Sequence, residues 1–198
     1  MKKIMFNDKY GLTQAVLEGR KTMTRRRADV RWSAGDIHDN PVPKYKVGEV
    51  LAVAQRYSEL SWDKRFYDNL CSMCERLPQY ELKGWDNKMF VRADLMPHRI
   101  RITDIKVERL QDISDEDCLR EGVQAVEVQR APRGFLYYGG GNAVPEDKKA
   151  DIKSGRIYIA GGFKTPQQAF AKLIDRVSGK GTWDENPYVF AYEFELVK

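Results

Sequence analysis

Cysteine and histidine are scarce in this chain, with three and two copies respectively in 198 residues. An odd, small cysteine count excludes a disulfide framework and points to a reducing compartment. The one Cys-x-x-Cys, Cys71 with Cys74, has no second pair. A tetrahedral zinc site would need Cys118, His38, His98 or a carboxylate to converge from far along the chain. Buried or incidental thiols are therefore the expectation, with no metal and no cofactor. Two lone histidines also fail to supply the paired imidazoles of a ribonuclease. No apolar run approaches the roughly 20 residues of a membrane span, so no membrane partner is expected. Met1-Lys2-Lys3-Ile4-Met5-Phe6-Asn7 has two lysines but no apolar stretch behind them, which predicts no signal segment and a cytoplasmic chain. Internal repeats and long low-complexity tracts are also missing.

What is present is charge. Lysine and arginine number 34 against 29 acidic residues, giving a net charge of +5. That excess is mild, so its position says more than its size. It concentrates in Gly19-Arg20-Lys21-Thr22-Met23-Thr24-Arg25-Arg26-Arg27, where five cations and two hydroxyls fall within nine residues. A solvated charge run is the plain reading. Two features argue for more: a short helix just before it holds the segment near the core, and the alternating hydroxyls suit phosphate or carbonyl oxygens.

The periodicities predict an α+β chain. Lys3 to Phe6 reads as a strand, and Asp8 to Glu18 as a helix burying Leu12, Ala15 and Val16 and stopped by Gly19. Ser33 to Lys46 reads as loop and Val47 to Arg56 as a strand. In Arg99 to Leu110, Ile100 and Ile102 alternate on one parity and Ile105 and Val107 on the other, which predicts a bulge at Thr103-Asp104. Ser114 to Glu121 reads as a helix capped by Ser114 and Asp117 and closed by Gly122. Thr165-Pro166 opens another helix running to about Val177, with Phe170, Leu173, Ile174 and Val177 on one face. Tyr188 to Leu196 alternates strictly, as a half-buried strand does. Residues 57–97 and 124–163 lack a clean period and read as two insertions. Trp85, Phe90, Arg92, His98, Arg99 and Arg101 interleave aromatics with cations, a pattern whose commoner fate is core packing and a solvated strand face. Gly139-Gly140-Gly141 sits too far from a strand-to-helix turn to hold phosphate and reads as a flap.

Four segments, in order, resemble the ASCH-domain family of the PUA-like superfamily. Leu17 to Arg25 is similar to its GRKTxTxR signature, and Val47-Gly48-Glu49-Val50-Leu51 to the strand that follows. Val107 to Asp117 with Glu121-Gly122-Val123 resembles the strand-then-helix of the longer bacterial and phage-type members. Gly181 to Phe190 resembles their closing W-x-x-NP-aromatic strand. The resemblance implies a single PUA-like β-barrel domain over 1–198, with flanking short helices and the two insertions. It also implies a basic cleft that recognises RNA or a modified nucleoside through Arg20, Lys21, Thr22, Arg25 and Arg26. Small members of the family hydrolyse 4-acetylcytidine with a lysine, a threonine and a glutamate, which fall here on Lys21, Thr24 and Glu121.

That chemistry is sound on its own terms. A threonine hydroxyl needs a base beside it, a lysine crowded by cations favours its neutral form, and a glutamate can carry a proton to the leaving amine. Against this stand blander roles: Thr24 as a turn cap, Lys21 as a phosphate ligand and Glu121 as a surface helix residue. The insertions have no counterpart in the small hydrolases. A phage-type accessory protein that binds a protein partner is the third expectation.

Overall fold

The computed structural model describes residues 1–28, 42–61, 63–73, 81–127, 135–139 and 162–197. Among them are β1 (Lys3–Ile4), α1 (Leu12–Leu17), β2 (Met23–Arg27), β3 (Val50–Val53), α2 (Tyr57–Leu60), α3 (Lys64–Met73), β4 (Arg99–Arg109), α4 (Asp115–Arg120), β5 (Val123–Glu127), β6 (Phe135–Gly139), α5 (Pro166–Ser178), α6 (Thr182–Glu185) and β7 (Tyr188–Val197). The chain is therefore α+β. His38, Cys74, Gly140 and Gly141 lie outside the described residues, as does most of the second expected insertion. No helix among the described residues is long and apolar enough to cross a membrane.

The alternating C-terminal segment becomes β7, which lies between β4 and β2 and pairs antiparallel with both. Phe190, Tyr192 and Phe194 enter the main core with Phe6, Leu12 and Leu173. Val189, on the opposite parity, joins Leu110, Ile113 and Phe170 in a second cluster. A strand covered on both faces explains why its burial is nearly continuous although its pattern alternates. The expected bulge is present: β4 and β7 shift register between Ile102 and Asp104, leaving Thr103 as the extra residue. The caps Ser114 and Thr165 also form, while the Asp117 carboxylate turns to Arg25 instead of completing a box with Ser114. Ser114 accepts from the Asp117 N–H at 3.1 Å, and Thr165 accepts from the Gln168 N–H at 3.3 Å.

Two expectations are corrected. The helix expected over Asp8 to Glu18 is split, because Gly11 adopts a left-handed φ of 63° between a short 3-10 turn and α1. The closed barrel is not formed: the sheet runs β1-β3-β4-β7-β2, and β1 and β2 remain its edges among the described residues. β1 is only two residues long, too short to form a ladder across the gap. A side chain spans it instead, with Arg26 Nη2 donating to the Met5 carbonyl at 2.7 Å. The first insertion is packed, since Tyr57, Leu60, Phe66, Leu70 and Met96 form a cluster with Ala52 and Ala54 of β3 and its continuation.

α5 crosses the gap on its Phe170–Leu173 face. Phe170 is 1% exposed and meets the Trp183 ring edge-on at 6.2 Å. Phe170→Ala should cost about 3–5 kcal/mol of stability, read as a lower midpoint in chemical denaturation. An unchanged midpoint would mean that α5 is not fastened there.

Candidate functional site

The site begins with how the chain leaves α1. Gly19, at φ 73°, turns it. The Lys21 N–H then returns to the Ala15 carbonyl at 2.9 Å, and the Thr22 N–H reaches the Arg120 carbonyl at 3.0 Å. These bonds carry Lys21 inward rather than along the surface. It is 2% exposed, and its Nζ donates to Glu121 Oε2 at 2.5 Å and to the Glu121 carbonyl at 2.6 Å. Glu121 sits at the C-terminal cap of α4, followed by Gly122 at φ 101°.

Arg25 completes the arrangement. Its side chain is 1% exposed and reaches three carboxylates: Glu108 at 2.6 Å, Asp117 at 3.0 Å and Glu121 at 3.3 Å. Asp117 and Glu121 lie four residues apart, so α4 presents both on one side, while β4 supplies Glu108. One guanidinium thus joins β2, α4 and β4. Arg120 extends the network to Asp117 at 3.4 Å and Glu193 at 3.0 Å.

Between the two sheet edges lies a small recess of about 30 Å³. Phe6, Lys21, Thr24, Arg26 and Glu121 line one part, and Leu173 and Val177 of α5 the other. Burial holds the Lys21 ammonium below the ordinary lysine value. Glu121 opposes that shift, and Arg26 and Arg25 add to it. Cys118 is buried too, and burial pushes its thiol up to about 12, which keeps it an inert thiol.

The fold thus gathers Lys21, Thr24, Arg25, Arg26 and Glu121 at one recess. It does not bring Arg20 or Thr22 to it. Arg20 is exposed, its Nε on Glu18 at 2.7 Å, and the Thr22 hydroxyl accepts from Arg120 Nε at 3.3 Å. Asp117, Glu108 and Phe6 were missed in the sequence. The Asp117/Glu121 spacing was a visible signal, but the partner they share lies about a hundred positions away. Phe6 stands under two cations, with Arg26 5.8 Å and Lys21 6.0 Å from its ring centre. Among the described residues no cluster of three metal-ligating side chains forms. Comparison with protein-family models, with curated proteins and with solved structures gave no match.

A Cβ at Gly122 would meet Leu12 Cδ2 at 3.2 Å and Lys21 Cδ at 3.7 Å, at a backbone angle side chains rarely adopt. Gly122→Ala should therefore cost on the order of 1–3 kcal/mol, visible as a lower melting temperature. A variant that melts with wild type would show that the Lys21 contact has slack.

Lys21 also has a pH signature. Its folded value is lowered, so the unfolded chain takes up a proton that the folded chain lacks between that value and 10.5. The associated stability is fully present above 10.5 and is lost as pH falls through the folded value. Wild type should gain on Lys21→Met as pH rises through that window, followed by denaturation at several pH values. Parallel curves would contradict a lowered lysine.

Proposed function

We propose that the recess is the active site of an ASCH-type amidohydrolase of PUA-like ancestry, acting on an N-acylated nucleobase or nucleoside. The observation that carries this reading is the buried Lys21–Glu121 contact at 2.5 Å, which shares its recess with the Thr24 hydroxyl. One proton between these two groups suffices for both tasks. With the proton on Glu121, the pair is an amine able to act as base and a carboxylic acid able to act as acid.

Lys21 Nζ then accepts the Thr24 hydroxyl proton as Oγ1 bonds to the acyl carbon, and the carbonyl π electrons move to oxygen. That oxyanion forms beside the Arg26 guanidinium, a fixed positive charge at the recess wall. Collapse breaks the C–N bond, and the leaving nitrogen takes the Glu121 proton. The product amine departs and an acyl ester remains on Thr24. Water cleaves it, giving one proton to Glu121, while Thr24 Oγ1 recovers its own from Lys21. The pair ends as it began.

A phosphate grip built from the whole basic segment draws less support. Arg25 is already engaged by three carboxylates and Arg20 by Glu18. Arg26 is the cation of that segment best placed to meet a ligand at the recess.

Incubation with 4-acetylcytidine should release cytidine and acetate. Thr24→Ala, Lys21→Met and Glu121→Gln should each lower kcat by about a hundredfold or more. In wild type, kcat/KM should fall as pH rises through the lowered Lys21 value, because the pair then loses the one proton that the leaving nitrogen must take. Full turnover in Thr24→Ala would remove Thr24 as nucleophile, and no release by folded wild type would overturn the reading.

A further inference from the structure

The recess is small for a whole nucleoside. At about 30 Å³ it has room for two or three groups the size of a water molecule, each of which needs about 10–15 Å³. An acetyl group is of that size. A nucleobase is not, since pockets that enclose a whole ligand run to about 300–1,000 Å³. The leaving base therefore stays at the mouth, where Asn7 is half-buried and Ser178 exposed. The carbonyl carbon holds its acyl chain away from the leaving nitrogen, so the chain points inward. The wall it meets there is apolar, with Leu12 of α1 and Phe170, Leu173, Ile174 and Val177 of α5.

A second hole of about 50 Å³ adjoins this wall, lined by Leu110, Pro187 and Val189 together with Arg27 and Thr182. Arg25, Ile174 and Ser178 line both holes. Arg25 is fixed by its three carboxylates, and Ser178 is exposed at the last position of α5. Ile174 is the apolar side chain the two holes share. It packs half-buried against the cluster of Leu110 and Val189, whereas its neighbours Leu173 and Val177 pack against the cluster of Phe6 and Leu12. α5 thus straddles the free edge of β2, with Ile174 standing between the recess and the hole behind it.

From this geometry we infer that Ile174 sets the length of the acyl group: the site takes N-acetyl compounds and excludes longer N-acyl chains, because Ile174 closes the recess against the second hole. The inference rests on the hydrolase reading of the recess and narrows its substrate class from acyl amides at large to acetyl amides.

The probes are 4-acetylcytidine and 4-butyrylcytidine, which share one leaving group and differ only in the acyl chain. Wild type should favour the acetyl compound in kcat/KM by about tenfold or more, since one methylene that does not match its pocket already costs about that much. Ile174→Ala removes the side chain between the two holes and should raise the butyryl-to-acetyl ratio by about tenfold or more. The readout is a ratio within one preparation, so a partly unfolded sample does not move it, and a purely structural role for Ile174 would leave it unchanged. If Ile174→Ala does not fold, Ile174→Val makes a smaller opening and should shift the ratio the same way by a smaller factor. Comparable turnover of both compounds by wild type, or an unchanged ratio in the folded variant, would overturn the inference and leave the hydrolase reading standing. No turnover of either compound by folded wild type would overturn both.

Discussion

The Arg25 guanidinium is the contact on which the site depends. Its side chain is 1% exposed and stands among Glu108, Asp117 and Glu121. Burying a cation is costly unless carboxylates surround it, and removing a partner leaves an uncompensated charge inside the protein. Three segments distant in sequence are therefore fixed relative to one another. β2 is an edge strand, yet Met23, Thr24 and Arg25 are all buried. Arg25 ties α4 to this edge through Asp117 and Glu121, and the Thr22 N–H just before β2 bonds the Arg120 carbonyl. Glu121 is thereby positioned to meet Lys21.

The second constraint is the open sheet. Closing β1 onto β2 would satisfy more backbone but would fill the gap in which Lys21, Thr24 and Arg26 meet. The gap instead keeps its width through one side-chain hydrogen bond, Arg26 to Met5, and one helix laid across it. A site framed by strands and helices, with Lys21 held by two hydrogen bonds, keeps its groups in register better than one built on loops.

Much of this was legible in the sequence where the signal was local. The slip of parity at Thr103 announced the bulge, Ser114 and Thr165 announced their helices, and the alternation of Tyr188 to Leu196 announced β7. Lys21, Thr24 and Glu121, which the resemblance of short motifs singles out, line one recess. The rest was not readable because it is long-range or depends on one residue's backbone. Nothing in Gly11 itself distinguishes a break from a tolerated helix glycine. Five cations within nine residues look alike until folding buries Lys21 and Arg25 and leaves Arg20 outside. The barrel was expected from the resemblance, and the shortness of β1 decided otherwise.

The central claim is that a buried lysine and Glu121 share a proton. The direct measurement is an NMR pH titration of the lysine side chains in wild type and in Glu121→Gln. One lysine, assigned by its loss in Lys21→Met, should titrate below 10.5. It should move lower still in Glu121→Gln, because Glu121 is the group that holds its value up against burial. A Lys21 resonance that titrates at the ordinary lysine value in both proteins would contradict the account.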